Sequence, residues 1–365
     1  MKIYPAILLF FIAGLLNLHP AAAQFTETKE VSRRFRVQPE TRIEISNKYG
    51  KIILNPWDKD SVVVKINLRV ENKKLSKLEK QLEEINFDFT NTSNFLIIRT
   101  RFTESASPLE RELMRVRETL LQSDGSTEIN YEVWLPRKNN LRVENKFGDI
   151  LIGKYAGETD ITLSNGKMKA SELTGRTKLN LNFADVSADE ITNAQVTSNY
   201  SELYLKTAQK MRISSKSSTF EIIEIDDLET NSRRDKFRIR RAGEIDATGS
   251  FSSFRLTELL QKINLRADFG NLDIEKILPG FSSIYIETKS TDVNLAFDPA
   301  CNFAFDITHT KTEVDLSREV EVTDKQTIDP REGKNRLTGF FGNKKENKEK
   351  VLINTSLGEL NIRSY

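Results

Sequence analysis

The residues that invite a chemical reading crowd one stretch of chain: Arg233, Arg234, Lys236, Arg238, Arg240, Arg241 and, one repeat later, Arg255. A cationic cluster of this kind suits an anionic ligand such as an acidic polysaccharide. Glu221, Glu224, Asp226 and Asp227 lie just before it, so a neutralised face is the competing reading. The chain as a whole has 55 Lys and Arg against 53 Asp and Glu, which leaves no net field to draw nucleic acid or an anionic membrane. Catalysis of the Ser-His-Asp kind needs a histidine. Of the two present, His19 falls in an N-terminal leader, which leaves His309 in Thr308-His309-Thr310. With Cys301 the single cysteine, a Cys/His metal centre is excluded by count, and so is an intramolecular disulfide. Its neighbours Phe303 and Phe305 mark Cys301 as a small buried hydrophobe. Asp185, Asp189, Glu190 and the pair Asp226-Asp227 are the carboxylates that a lyase or glycosidase would use. Similar acids recur along the whole chain, which reads as solvated surface. No cofactor is expected.

The element that positions all of these is a repeated phrase: a small residue, then polar, apolar, polar, apolar. It opens at Gly148, Gly166, Ala184, Ser201, Ser218, Asp235, Ser252 and Gly270, with offsets of 18, 18, 17, 17, 17, 17 and 18 residues. Further copies open at Gly50, Thr291, Thr312 and Gly358. A fixed period of this length predicts an all-β, single-stranded parallel β-helix (a β-solenoid). A β-sandwich is the competitor; it calls for turn signals every 8–12 residues but no constant register.

Counting the opening residue as zero, positions two and four are apolar in every copy, as in Leu203, Phe220 and Phe237 at position two. Strand alternation turns these inward. Five residues before zero runs a second apolar column, from Ile45 and Val143 to Ile307 and Ile353, broken only by Thr230. Seven after zero runs a third, from Tyr155 to Ile277. Position three predicts stacked pairs, Glu221 with Arg238 and Arg255 with Asp273, which mainly fix register. The residue just before zero is aromatic in half the copies: Tyr49, Phe147, Phe183, Tyr200, Phe251 and Phe269. These rings read as a corner stack or, more sharply, as a surface on which sugars stack.

Residues 1–23 resemble a secretory signal, with Lys2, an apolar run from Ile7 to Leu16, and Ala21-Ala22-Ala23 before Gln24. The run falls short of the ~20 residues that a span requires, so no transmembrane span is expected after cleavage. Residues 24–140 hold a polar lead-in, the first copy and an α+β cap. The cap comprises a strand at 61–70, a helix through Leu75, Leu78, Leu82 and Ile85, a hairpin over 86–102, a charged segment at 104–123 and a strand at 127–135. Residues 141–365 form the repeat array, with a polar loop insertion at about 317–350 in which Phe340-Phe341 could meet a partner.

The phrase Asn145-Lys146-Phe147-Gly148-Asp149-Ile150-Leu151-Ile152, the run Tyr131 to Pro136, and the closing Asn354 to Ile362 resemble a bacterial family. It is a group of exported β-solenoid proteins labelled "putative adhesins", with a domain of unknown function, and the likeness covers the chain from about residue 41. The resemblance implies a right-handed β-helix in a Gram-negative envelope and supplies no site residues. Copies five to eight carry few glycines, so tight corners are not expected there. The function expected is that of a non-catalytic exported surface, adhesive or structural, meeting a glycan or an envelope protein in the periplasm, at the outer membrane or outside the cell. The alternatives are a polysaccharide-active enzyme on the same scaffold, or an accessory protein docking a partner.

Overall fold

Apolar residues at every second position give strands, and the chain consists almost wholly of them. A computed structural model describes residues 24–103, 125–342 and 349–365. The leader at 1–23, the segment at 104–123 and most of the charged run at 344–350 lie outside the described residues. In order, the elements are β1 (Phe25–Arg36), β2 (Arg42–Lys48), β3 (Ile52–Trp57), β4 (Ser61–Asn72), α1 (Leu75–Glu84), β5 (Ile85–Asn91), β6 (Phe95–Phe102) and β7 (Gly125–Pro136). The repeats supply β8 (Leu141–Lys146), β9 (Ile150–Ile152), β10 (Thr159–Asn199), β11 (Glu202–Lys216), β12 (Thr219–Arg233), β13 (Lys236–Ser250), β14 (Ser253–Asp268), β15 (Asn271–Ile277), β16 (Ser283–Lys289) and β17 (Asp292–Phe297). The chain ends with β18 (Phe303–Leu316), β19 (Val320–Asp329), β20 (Lys334–Phe341) and β21 (Glu349–Ser364). The lead-in expected at 24–40 is mostly β1.

Two compact units emerge. The smaller holds α1 and the described residues 24–29, 68–86, 101–103 and 125–128; the larger holds 30–67, 87–100 and 129–365. In the smaller, Leu78 is buried at the inner face of α1, and Asn72 Nδ2 donates to Gln81 Oε1 at 3.1 Å.

In the larger unit the repeats pair in parallel and in register. Leu203 lies beside Phe220, Phe220 beside Phe237, and Phe237 beside Phe254. All three apolar columns are buried through the contiguous repeats, and Thr230 is buried with its neighbours. The expected position-three pairs form: Arg238 meets Glu221 at 2.9 Å and Arg255 meets Asp273 at 3.4 Å. The first copy is covered on both sides, β2 lying between β6 and β8, and β3 between β7 and β9.

The C-terminal end departs from the expected order. β21 pairs in parallel with β16 and β17 on one side and with β18 on the other, so the copy at Gly358 lies between those at Thr291 and Thr312. Val314 and Leu316, in the outermost copy, are only half-buried. The insertion expected as a polar loop is an antiparallel hairpin, β19 against β20, with β20 paired to β18. Phe340 and Phe341, read from the sequence as residues that could meet a partner, are buried, and Phe341 stacks on Phe303 at 5.1 Å with 3° between the rings. Alternation turns Phe341 into the core, and the polar residues of β19 lie on an exposed face.

Candidate functional site

Each repeat must turn a corner just before position zero, and the turn is made by a left-handed residue. Twelve described residues other than glycine have positive φ, from 50° to 68°, and all twelve are the residue before zero. An L-residue there costs about 1–2 kcal/mol, and Gly or Asn is the usual choice. The conformation is imposed from the next repeat: Tyr200 N donates to Lys216 O at 3.0 Å, Ser217 N to Arg233 O at 2.9 Å, and Phe251 N to Asp268 O at 2.8 Å. Position zero therefore meets its neighbour closely. At Gly148 and Gly166 a Cβ would sit 1.9 and 2.0 Å from a carbonyl oxygen of the preceding repeat.

Where glycine is absent the corner stays tight, contrary to the sequence expectation, because a side chain takes part in it. Ser201 Oγ accepts the Ala184 amide at 3.0 Å, Ser218 Oγ that of Ser201 at 3.3 Å, and Ser252 Oγ that of Asp235 at 3.2 Å. Asp235 fills the same column, with its carboxylate accepting from Ser218 N and Ser215 Oγ at 2.7 Å and from Arg233 N at 3.0 Å. Burial holds the Asp235 carboxyl above the usual carboxylate range, against those three hydrogen bonds. Because the folded value is the higher one, its contribution to stability is present at acid pH and is lost as pH rises through that value. The stability of Asp235→Ser, which repeats the residue of both flanking copies, is expected to gain on that of the unsubstituted protein as pH rises from about pH 4 toward neutrality. Thermal melts of both proteins across that range test it; a variant that loses ground with rising pH contradicts it.

The aromatic residues at this corner point into solvent. Phe147, Phe183, Tyr200, Phe251 and Phe269 are 48–59% exposed. They stack in pairs along the ladder: Tyr49 on Phe147 at 5.6 Å, Phe183 on Tyr200 at 5.1 Å, and Phe251 on Phe269 at 5.0 Å, with 5–15° between planes. Cations lie over several of them: Lys48 over Tyr49 at 4.4 Å, Lys216 over Tyr200 at 6.0 Å, and Arg234 over Phe251 at 5.9 Å. On the strand face made by positions one to three of these repeats is an open cavity of about 480 Å³, lined by Leu151, Lys169, Ser187 and Tyr204 and by Lys167 and Asp185, which pair at 3.7 Å.

The seven basic residues separate into two sets. Arg238, Arg241 and Arg255 are taken by Glu221, Glu258 and Asp273. Among the described residues Arg233, Arg234, Lys236 and Arg240 have no acidic partner, and the first three gather at the corner. Of the candidate carboxylates, Asp185 pairs with Lys167, Asp189 with Lys206 at 2.6 Å, and Asp227 with Lys210 at 2.5 Å. His309 is half-buried between β20 and β21; among the described residues its Nδ1 has no partner, and burial lowers its pKa. Cys301 is buried and its thiol is pushed up to about 12, chiefly by burial. Sequence reasoning missed Asp235 and the left-handed corner; the small polar residues recurring at position zero were the available signal.

No protein-family model matches the chain, and no curated protein matches it. Among solved structures, a "putative adhesin" from Bacteroides fragilis is similar at 12% identity, covering 92% of this chain and 97% of its own, with a TM-score of 0.30. A "putative cell adhesion protein" from Clostridium sporogenes is 12% identical over 92% of this chain and 100% of its own, with a TM-score of 0.18. A "putative lipid binding protein" from Parabacteroides distasonis is 10% identical over 73% of this chain and 92% of its own, with a TM-score of 0.28.

Proposed function

We propose that this chain is an exported, single-stranded parallel β-solenoid that binds a glycan along its aromatic corner and does no chemistry on it. The parallel registers of 17 and 18 residues support the solenoid, and the leader at 1–23 supports export. The observation that carries the binding is the choice of large, exposed rings at positions whose backbone favours Gly or Asn. A stacked ring pair returns about 0.5–1.5 kcal/mol, no more than the left-handed backbone costs. Stability therefore does not account for the rings, whereas exposed aromatic edges and end faces suit sugars. The ion pairs that hold Asp189 and Asp227 favour binding over hydrolysis.

Phe183→Asn, which places a favoured residue at the corner, is expected to change stability by less than about 1 kcal/mol and to weaken glycan binding severalfold. Urea unfolding and titration against a panel of neutral and acidic oligosaccharides read the two effects. Unchanged binding in both Phe183→Asn and Phe251→Asn overturns the reading. So does the appearance of new reducing ends or of unsaturated sugar products.

A further inference from the structure

We propose that the corner around Ser217 and Arg234 is a subsite for the acidic group of an anionic sugar; this rests on the glycan-binding reading above. The ring ladder is interrupted there. Between Tyr200 and Phe251 the corner residues are Ser217 and Arg234, and three further cations gather on the same two repeats. Lys216 and Arg233 are directly opposed in the β11–β12 register, while Arg234 and Lys236 follow Arg233 in sequence. Adjacent strands are about 4.8 Å apart, and like charges facing one another across them are destabilising.

Among the described residues no ion pair relieves that repulsion. Arg212, Arg238 and Arg241 on these repeats are taken by Glu229, Glu221 and Glu258. Lys216, Arg233, Arg234 and Lys236 have no ion pair among the described residues. The carboxylate beneath them, Asp235, is 1% exposed and spends its oxygens on Ser215, Ser218 and the Arg233 amide. The positions around it are thus a cationic corner with no ion pair among the described residues, flanked by two rings.

A uronate carboxylate or a sugar sulfate supplies that charge and accepts paired N–H bonds from a guanidinium. Lys216 lies over Tyr200 and Arg234 over Phe251, so an acidic sugar seated at the Ser217 corner meets a cation on each side, each backed by a ring. The cationic column does not continue: beyond Arg233 the register brings Ser250 and then Asp268. A nucleic-acid backbone needs cations on repeat after repeat, whereas one acidic group needs only this corner.

The test titrates the intact chain with oligogalacturonate, with a sulfated oligosaccharide and with a neutral oligosaccharide of equal length. Lys216→Gln combined with Arg233→Gln is expected to lower affinity for both acidic ligands by about tenfold or more. The neutral ligand should change little, and the melting temperature should hold or rise as the repulsion goes. Tyr200→Asn should weaken all three. If the double variant leaves acidic binding intact while Tyr200→Asn weakens every ligand, the subsite is overturned and the ridge stands. If acidic binding follows the cations but ignores Tyr200→Asn, an unspecific anion site replaces the sugar subsite. A single-stranded oligonucleotide binding as tightly as oligogalacturonate at the same salt also overturns it. Failure of every glycan to bind removes the ridge reading and this inference together.

Discussion

Deleting residues 349–365 is expected to unravel the C-terminal end of the larger unit, from Ser283 to Phe341. β21 is the strand that both β17 and β18 need, and it is also the partner of β16. Its removal takes away Val351, Ile353, Leu360 and Ile362, all at most 2% exposed. At about 1.5–3 kcal/mol each this is some 6–12 kcal/mol, comparable with the whole stability of an ordinary domain. It also opens two strand edges, which invite association with other chains. Hydrogen exchange should show amides of β16 to β20 losing protection while those of β10 to β13 keep theirs. Adding the 349–365 peptide should restore protection in part. Full protection in the deleted protein would mean that β18 closes directly against β16 and β17, and the expectation would then be wrong.

The position of that strand is what the sequence could not disclose. The repeat is legible because the same residue types recur at a fixed offset, which is why the burial of Leu203, Phe220 and Phe237 in one column was foreseeable. Leu360 and Val314 satisfy the column equally well, so nothing in residue type orders the last two copies. The neighbouring hairpin was hidden for a different reason: β19 is exposed along nearly its whole length and carries no apolar alternation to read.

The candidate site was legible in outline and not in conformation. The aromatic column before position zero was visible as a spacing. Its left-handed backbone was not, because bulky rings are poor residues for that region and composition argues against it. The amide-to-carbonyl bonds from one repeat to the next impose it, and these exist only once the repeats are stacked. In the same way the basic cluster was visible, but the division between neutralised Arg238 and uncompensated Arg233 depends on which acid the register places opposite each.

Phe237→Ala is expected to be the most damaging single change in the contiguous repeats. Phe237 is 1% exposed and lies between Phe220 at 4.8 Å and Phe254 at 4.9 Å, with interplanar angles of 12° and 6°. Truncation empties the middle of a three-ring stack, and the rings on either side are held apart by ladders that cannot move together. The cavity should therefore persist, at a cost of about 3–5 kcal/mol. Because β13 pairs, among the described residues, with β12 and β14, the loss should be local first. Amides of β12 to β14 should exchange faster than those of β8 and β9, and the urea transition should broaden or split rather than simply shift. Phe237→Leu, which keeps most of the volume, should recover more than half of the loss. Arg240→Ala, exposed on the same strand, is the control and should change stability by no more than about 0.5 kcal/mol. A uniform loss of protection along the whole larger unit would show instead that the repeats unfold as one cooperative body, and a loss below about 1 kcal/mol would mean that the column can collapse around the missing ring.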